Sequence, residues 1–178
     1  MKNLSKIIVA CFITLNCVNV WAQNNNDKKA RQAALTAQRV NEKNFVFNAD
    51  YVTPARGGGR SLTSQYDLTV TKDSIIAYLP YFGRAYLAPP YGSMDNGIKF
   101  TWTNFTYKVT VDKKKGFDIL IKPVKEDISD ANGVRFVRLS VGANGYASLQ
   151  VINSNRDPIT FEGTVEGRHQ KKDDPTPY

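Results

Sequence analysis

From Asn44 onward the chain alternates between apolar and polar positions. Tyr66, Leu68 and Val70 are interleaved with Asp67, Thr69 and Thr71, and Phe105, Tyr107, Val109 and Val111 with Thr106, Lys108 and Thr110. Phe117, Ile119 and Ile121 are set against Asp118 and Lys122, with Leu120 out of step, and Ile159, Phe161 and Val165 against Thr160, Glu162 and Thr164. A period of two puts successive side chains on opposite faces of a strand, so each segment has one dry face and one wet face. Turn residues fall between these segments. Lys72-Asp73 separates strands over 66–71 and 74–80, Asp112 to Gly116 separates 104–111 and 117–122, and Asn144-Gly145 joins 134–141 to 146–152. Asn132-Gly133 opens 134–141, and Asn153 to Pro158 leads into the last strand. Asn-Gly suits a type I′ hairpin, in which both central residues take positive φ.

With 45–50 and 98–102 the pattern predicts about nine strands in up-and-down order and no βαβ crossover. A meander of that length must close or fold over to hide its edges. The fold expected is therefore mainly β, an antiparallel curled sheet or lipocalin-like β-barrel with one N-terminal α-helix. The helix is predicted over 27–43, where Ala30, Ala33, Ala34, Ala37 and Val40 recur at helical spacing, Asp27 can cap the start, and Leu35 lies off the stripe.

The first residues read as an export signal. Lys2 and Lys6 precede an apolar run from Ile7 to Val20, and Val20-Trp21-Ala22 fits a cleavage site. The run is too short to cross roughly 30 Å of hydrocarbon as a helix, so the mature chain is expected to have no transmembrane segment. Ile8-Val9-Ala10-Cys11 resembles a lipoprotein box, but lipidation at Cys11 would leave only Ile7 to Ala10 as apolar core, so the cut after Ala22 is preferred. That cut removes both cysteines, Cys11 and Cys17. The mature chain then has no disulfide, thiol nucleophile or thiolate metal site. The organisation expected is a signal peptide over 1–22, a polar spacer and N-terminal helix over 23–44, an antiparallel β domain over 45–166, and a disordered tail over 167–178. The location expected is periplasmic or secreted.

Composition narrows the chemistry. The chain is 42% hydrophobic and 22% charged, ordinary for a globular domain, and nine Tyr, nine Phe and two Trp favour sheet. The single His169 lies in a polar tail, which excludes a His-centred triad or a poly-His metal site. The formal net charge of +8 is spread along the chain, and its one tight run, Lys113-Lys114-Lys115, reads as a solvated hairpin tip, so no nucleic-acid partner is expected. The scattered carboxylates form no pair in which burial would drive two pKa values apart, and no catalytic residue is assigned. Gly57-Gly58-Gly59 lacks the Lys-Ser/Thr and helix of a phosphate loop and reads as a strand connection. The acidic stretch 126–130 lacks the EF-hand pattern and reads as a solvated loop. No metal or cofactor is expected.

Two segments stand out as recognition material. Residues 78–91 hold four Tyr, one Phe, one Arg and three Pro without strand alternation. Aromatic rings and Arg together supply rigid area and directional donors; the structural alternative is that the rings cap a barrel end and Arg84 satisfies buried carbonyls. Asn155-Arg156-Asp157-Pro158 is the second segment, with a turn-stabilising Arg–Asp pair as its structural alternative. The candidate ligand- or partner-binding residues are Tyr81, Phe82, Arg84, Tyr86, Tyr91, Trp102, Arg156 and Asp157.

Leu62-Thr63-Ser64-Gln65-Tyr66-Asp67-Leu68, Leu79-Pro80-Tyr81-Phe82-Gly83-Arg84-Ala85-Tyr86, Gly97-Ile98-Lys99-Phe100, and Asn155-Arg156-Asp157 with Ile159-Thr160-Phe161-Glu162-Gly163 resemble domain of unknown function family 4251. The resemblance spans roughly residues 30 to 166. It implies a small exported protein of the Gram-negative envelope with a lipocalin-like barrel topology, and it implies no activity and no functional residues. The expected function is a non-catalytic binding module for a small apolar or amphipathic ligand at the barrel mouth, which a pocket lined by Tyr81, Phe82, Tyr86 and Trp102 would favour. The alternative is a protein-interaction or scaffolding module of the cell envelope that uses segment 78–91.

Overall fold

The computed structural model describes residues 26–86, 97–112, 116–124 and 133–168. The expected signal segment with Cys11, Cys17 and Ala22, Pro89 to Tyr91, the Lys113–Lys115 run, the acidic stretch 126–130, Asn132 and the tail from 169 lie outside them.

Helix α1 covers residues 26–42. It is followed by β1 (Phe45–Pro54), β2 (Arg60–Ser61), β3 (Asp67–Val70), β4 (Ile75–Leu79), β5 (Ile98–Trp102), β6 (Phe105–Val111), β7 (Phe117–Pro123), β8 (Val134–Val141), β9 (Tyr146–Asn153) and β10 (Ile159–Gly167). The sheet order is β5-β4-β3-β1-β10-β9-β8-β7-β6, with the short β2 paired to β1, and each of these pairings is antiparallel. The result is a nearly closed barrel-like sheet, in agreement with the fold class read from the alternation. Apart from the unpaired β2–β3 and β5–β6 steps, sequence-adjacent strands pair, and the first and last strands are joined by the long β1–β10 ladder. The ladder's two ends, β5 and β6, are joined by only Thr103 and Asn104.

The inward positions of the alternation are filled by large apolar side chains. Phe45, Phe47, Leu68, Ile75, Ile98, Ile119, Ile121, Leu139, Leu149 and Phe161 are fully buried in one cluster. Burying a side chain of this size stabilises the fold by about 1.5–3 kcal/mol each. Val111 departs from the expected dry face, being 64% exposed, because it ends the edge strand β6.

Three local expectations are corrected. Strand β1 runs to Pro54 rather than ending at 50, because a bulge between Ala49 and Tyr51 inserts Asp50 and shifts the alternation, so that Val52 and Pro54 are again buried. The β8–β9 connection is not a two-residue type I′ turn. Gly142 and Tyr146 close a three-residue loop with a Gly145 N–H to Gly142 carbonyl bond of 2.9 Å, and positive φ falls on Gly145 (88°) but not on Asn144. This is a type I turn followed by a left-handed glycine. In α1, Asp27 is already helical and Ala30 and Ala34 are exposed; the buried face is centred on Thr36 and Val40. The helix ends with Lys43 at φ 52°, with N–H bonds from Lys43 to Val40 (3.3 Å) and Asn44 to Arg39 (3.1 Å), the two bonds of a Schellman cap. The Tyr107 hydroxyl donates to the Val40 carbonyl at 3.0 Å, and Arg39 reaches the Val165 carbonyl at 3.4 Å, fixing the helix C-terminus over β6 and β10.

Candidate functional site

Strands β4 and β9 finish at the same end of the barrel, and there the two sequence candidates meet. Pro80 has no N–H to continue the ladder, so the chain leaves β4 at that point. It returns at Ala85, which forms an isolated antiparallel bridge with Arg156. The Tyr86 N–H donates to the Asn155 carbonyl (2.8 Å) and the Asp157 N–H to the Arg84 carbonyl (3.1 Å). The Tyr81 hydroxyl lies between two acceptors, the Arg84 carbonyl at 2.9 Å and the Asp157 carbonyl at 3.2 Å. The Tyr86 hydroxyl donates to Oδ1 of Asp157. Residues distant in sequence are thus tied into one lip by backbone and side-chain bonds.

Cations surround these rings. The Arg156 guanidinium lies 5.0 Å from the Tyr81 ring centre and the Arg60 guanidinium 4.6 Å from that of Phe82. Arg56 Nε is 4.0 Å from Oδ2 of Asp157, with the Arg56 side chain 75% exposed and that of Asp157 only 11%. A pair so exposed on one side adds little stability; its consequence is where it leaves the Arg56 fork, facing water beside Tyr86.

The phenols are held protonated. Burial raises the Tyr81 pKa, reinforced by the negative charge of Asp157. The Tyr86 pKa is raised first by its hydrogen bond to Asp157, which requires the phenol proton, while Arg56 and Arg84 pull the other way. Both hydroxyls act here as donors. Among the described residues no three His, Cys, Asp or Glu side chains gather as a metal site, and no helix is long and apolar enough to cross a membrane. The arrangement can stack and can donate hydrogen bonds.

Of the candidate residues, Tyr81, Phe82, Arg84, Tyr86, Arg156 and Asp157 come together. Tyr91 lies outside the described residues. Trp102 is elsewhere: it pairs with Ile75 at the far end of the β4–β5 ladder and stacks on Phe100 at 4.1 Å. The four residues Tyr81, Phe82, Tyr86 and Trp102, whose common pocket would favour a small ligand, are therefore not brought together. Arg84 also departs from the structural alternative, since its side chain is exposed while its backbone carbonyl takes the hydrogen bonds. The buried pair is Arg156 and Asp157, 7% and 8% exposed. Sequence reasoning missed Arg56 and Arg60, which flank the glycine run; a polar connection has no periodicity to show which way its side chains turn. A cleft of about 900 Å³ lined by Val111, Phe117, Val141 and Gly142 opens at the opposite end, between the β6–β7 and β8–β9 connections.

A profile described as Domain of unknown function (DUF4251) matches residues 27–165. Among solved structures, a crystal structure of a DUF4251 family protein from Bacteroides eggerthii is similar to this chain at 16% identity, with a TM-score of 0.58, covering 78% of this chain and 89% of that one. No curated protein matches. The likeness extends the barrel architecture to a second sequence.

Proposed function

The chain belongs to the DUF4251 family, and from that premise we propose that it is an exported, non-catalytic interaction module whose contact surface is the lip formed by residues 81–86 and 155–157. One observation carries this reading: Tyr86 is 58% exposed although its N–H is bonded to Asn155 and its hydroxyl to Asp157. Anchoring an exposed aromatic at both ends removes most of the ordering entropy that a partner would otherwise have to overcome. Tyr and Arg held in this way are the residues that dominate protein interfaces. The filled barrel interior also supports an outer contact surface over a ligand held inside. Export rests on the apolar run Ile7 to Val20 and the site at Ala22, and predicts a periplasmic or secreted mature protein that begins at Gln23.

The test is photocrosslinking in cells that produce the protein, with the photoreactive residue at position 86 or, for comparison, at Tyr146, which is 67% exposed at the other end of the barrel. A discrete protein adduct from position 86 and none from 146 is expected. Identical adduct patterns from both positions, or no adduct from 86, would overturn the reading.

A further inference from the structure

Four guanidinium groups converge on this lip. Arg156 lies beneath the Tyr81 ring, Arg60 covers Phe82, Arg56 approaches Asp157, and Arg84 acts on the Tyr86 phenol together with Arg56. The carboxylate among them, Asp157, is buried and already takes the Tyr86 hydroxyl. Among the described residues of the lip, exposed Arg56, Arg60 and Arg84 offer positive charge to solvent around exposed Tyr86. Resting on the interaction reading above, we infer that the lip recognises an acidic polypeptide segment, with Arg56 and Arg84 pairing carboxylates on either side of an anchor at Tyr86.

The geometry favours carboxylates on a polypeptide. Arginine presents a planar fork that matches a carboxylate in a bidentate pair, and its charge persists at any physiological pH. Arg60 is stacked on Phe82, which leaves the edge of its fork free to turn toward a ligand while its face stays covered. Clusters of Arg beside aromatic rings read acidic peptide motifs by this combination of charge and flat apolar area. Because the Arg56 and Arg84 side chains are exposed, their contribution is screened by salt, over a Debye length of about 10 Å at 0.1 M.

The experiment uses the mature chain, Arg56→Gln, Arg84→Gln and the double variant, with Lys72→Gln in the exposed β3–β4 turn as comparison. Fluorescence polarisation is measured with labelled peptides rich in Asp and Glu, with the same peptides carrying Asn and Gln, and with dextran sulfate as competitor. Acidic peptides are expected to bind, the Asn/Gln peptides not, and each single Arg variant to weaken binding by about two- to fivefold, the range of an exposed ion pair, with the double variant weaker still. Lys72→Gln is expected to match the parent. Equal weakening by Lys72→Gln, or binding of dextran sulfate with no acidic-peptide binding, would overturn the inference. The same double variant carrying the photoreactive residue at 86 separates the two claims. If the parent's adduct survives Arg neutralisation, the acidic partner is wrong and the contact surface stands; if the parent gives no adduct, both fall.

Discussion

Gly163 faces the bulge in β1, and its replacement by alanine is the sharpest test of how the barrel closes. In the ladder Gly163 is opposite Ala49, one residue before the pairing slips past Asp50. A Cβ built at Gly163 would lie 2.9 Å from the Asn48 carbonyl carbon and 3.1 Å from Ala49 Cα, with the Asn48 oxygen closer still. Carbon atoms in ordinary contact stand about 3.5–4.0 Å apart, and these neighbours are backbone, so the two strands themselves must separate. Overpacking of this kind costs about 1–3 kcal/mol. Displacing the ladder beside the bulge forfeits one or two hydrogen bonds at about 1 kcal/mol each. Against this, the lower unfolded-state entropy of alanine returns at most about 1 kcal/mol. The net expectation for Gly163→Ala is a loss of about 2–4 kcal/mol, read by urea denaturation as a lower midpoint with an unchanged slope. In thermal unfolding this corresponds to a fall of about 10 °C for a domain of this size. Gly58→Ala, where nothing lies within 4 Å of the built Cβ, is the internal comparison, and should fall within about 0.5 kcal/mol of the parent. A Gly163→Ala loss no larger than that of Gly58→Ala would refute the argument that close approach of the β1 backbone demands glycine.

Tyr81→Phe removes the hydroxyl between the Arg84 and Asp157 carbonyls and is expected to cost about 1–2 kcal/mol by the same denaturation assay. Arg84→Lys, by contrast, should leave stability within about 0.5 kcal/mol of the parent, because the exposed side chain is not what holds the lip. The half-buried Tyr107 phenol is pushed well above its ordinary 10.0 by desolvation; a raised phenol pKa favours the protonated folded state, so stability should be constant below about pH 10 and fall as pH rises beyond it. Tyr107→Phe should flatten that alkaline decline, as followed by phenolate absorbance against circular dichroism. Asp118 is held below its usual range by the hydrogen bonds it accepts from Arg138, at 2.9 and 3.0 Å from Nε; Arg138→Ala should change stability little near neutral pH, because the pair is exposed, and reduce the loss of stability as pH falls through the Asp118 titration.

The alternation of apolar and polar residues was sufficient to predict an antiparallel meander, because a period of two has one consistent solution when a single face must be dry. Phe45, Phe47, Ile119, Ile121 and Phe161 are buried as that pattern requires. The same local signal could not foresee the bulge at Asp50, since an inserted residue is visible only against the partner strand it slips past. Nor could it orient α1, whose alanines fit several faces and whose buried side is chosen by contact with β6 and β10. The candidate lip divides in the same way. Its residue types, rings and Arg without alternation, marked Tyr81 to Tyr86 and Arg156-Asp157 as separate segments. Only the closure of the barrel brings them together, adds Arg56 and Arg60 from a glycine-rich connection, and leaves Trp102 at the opposite end of β5. Side-chain pattern records which face is dry, a property of neighbours along the chain; proximity across the barrel depends on strand order and register, which pairing between distant segments alone decides.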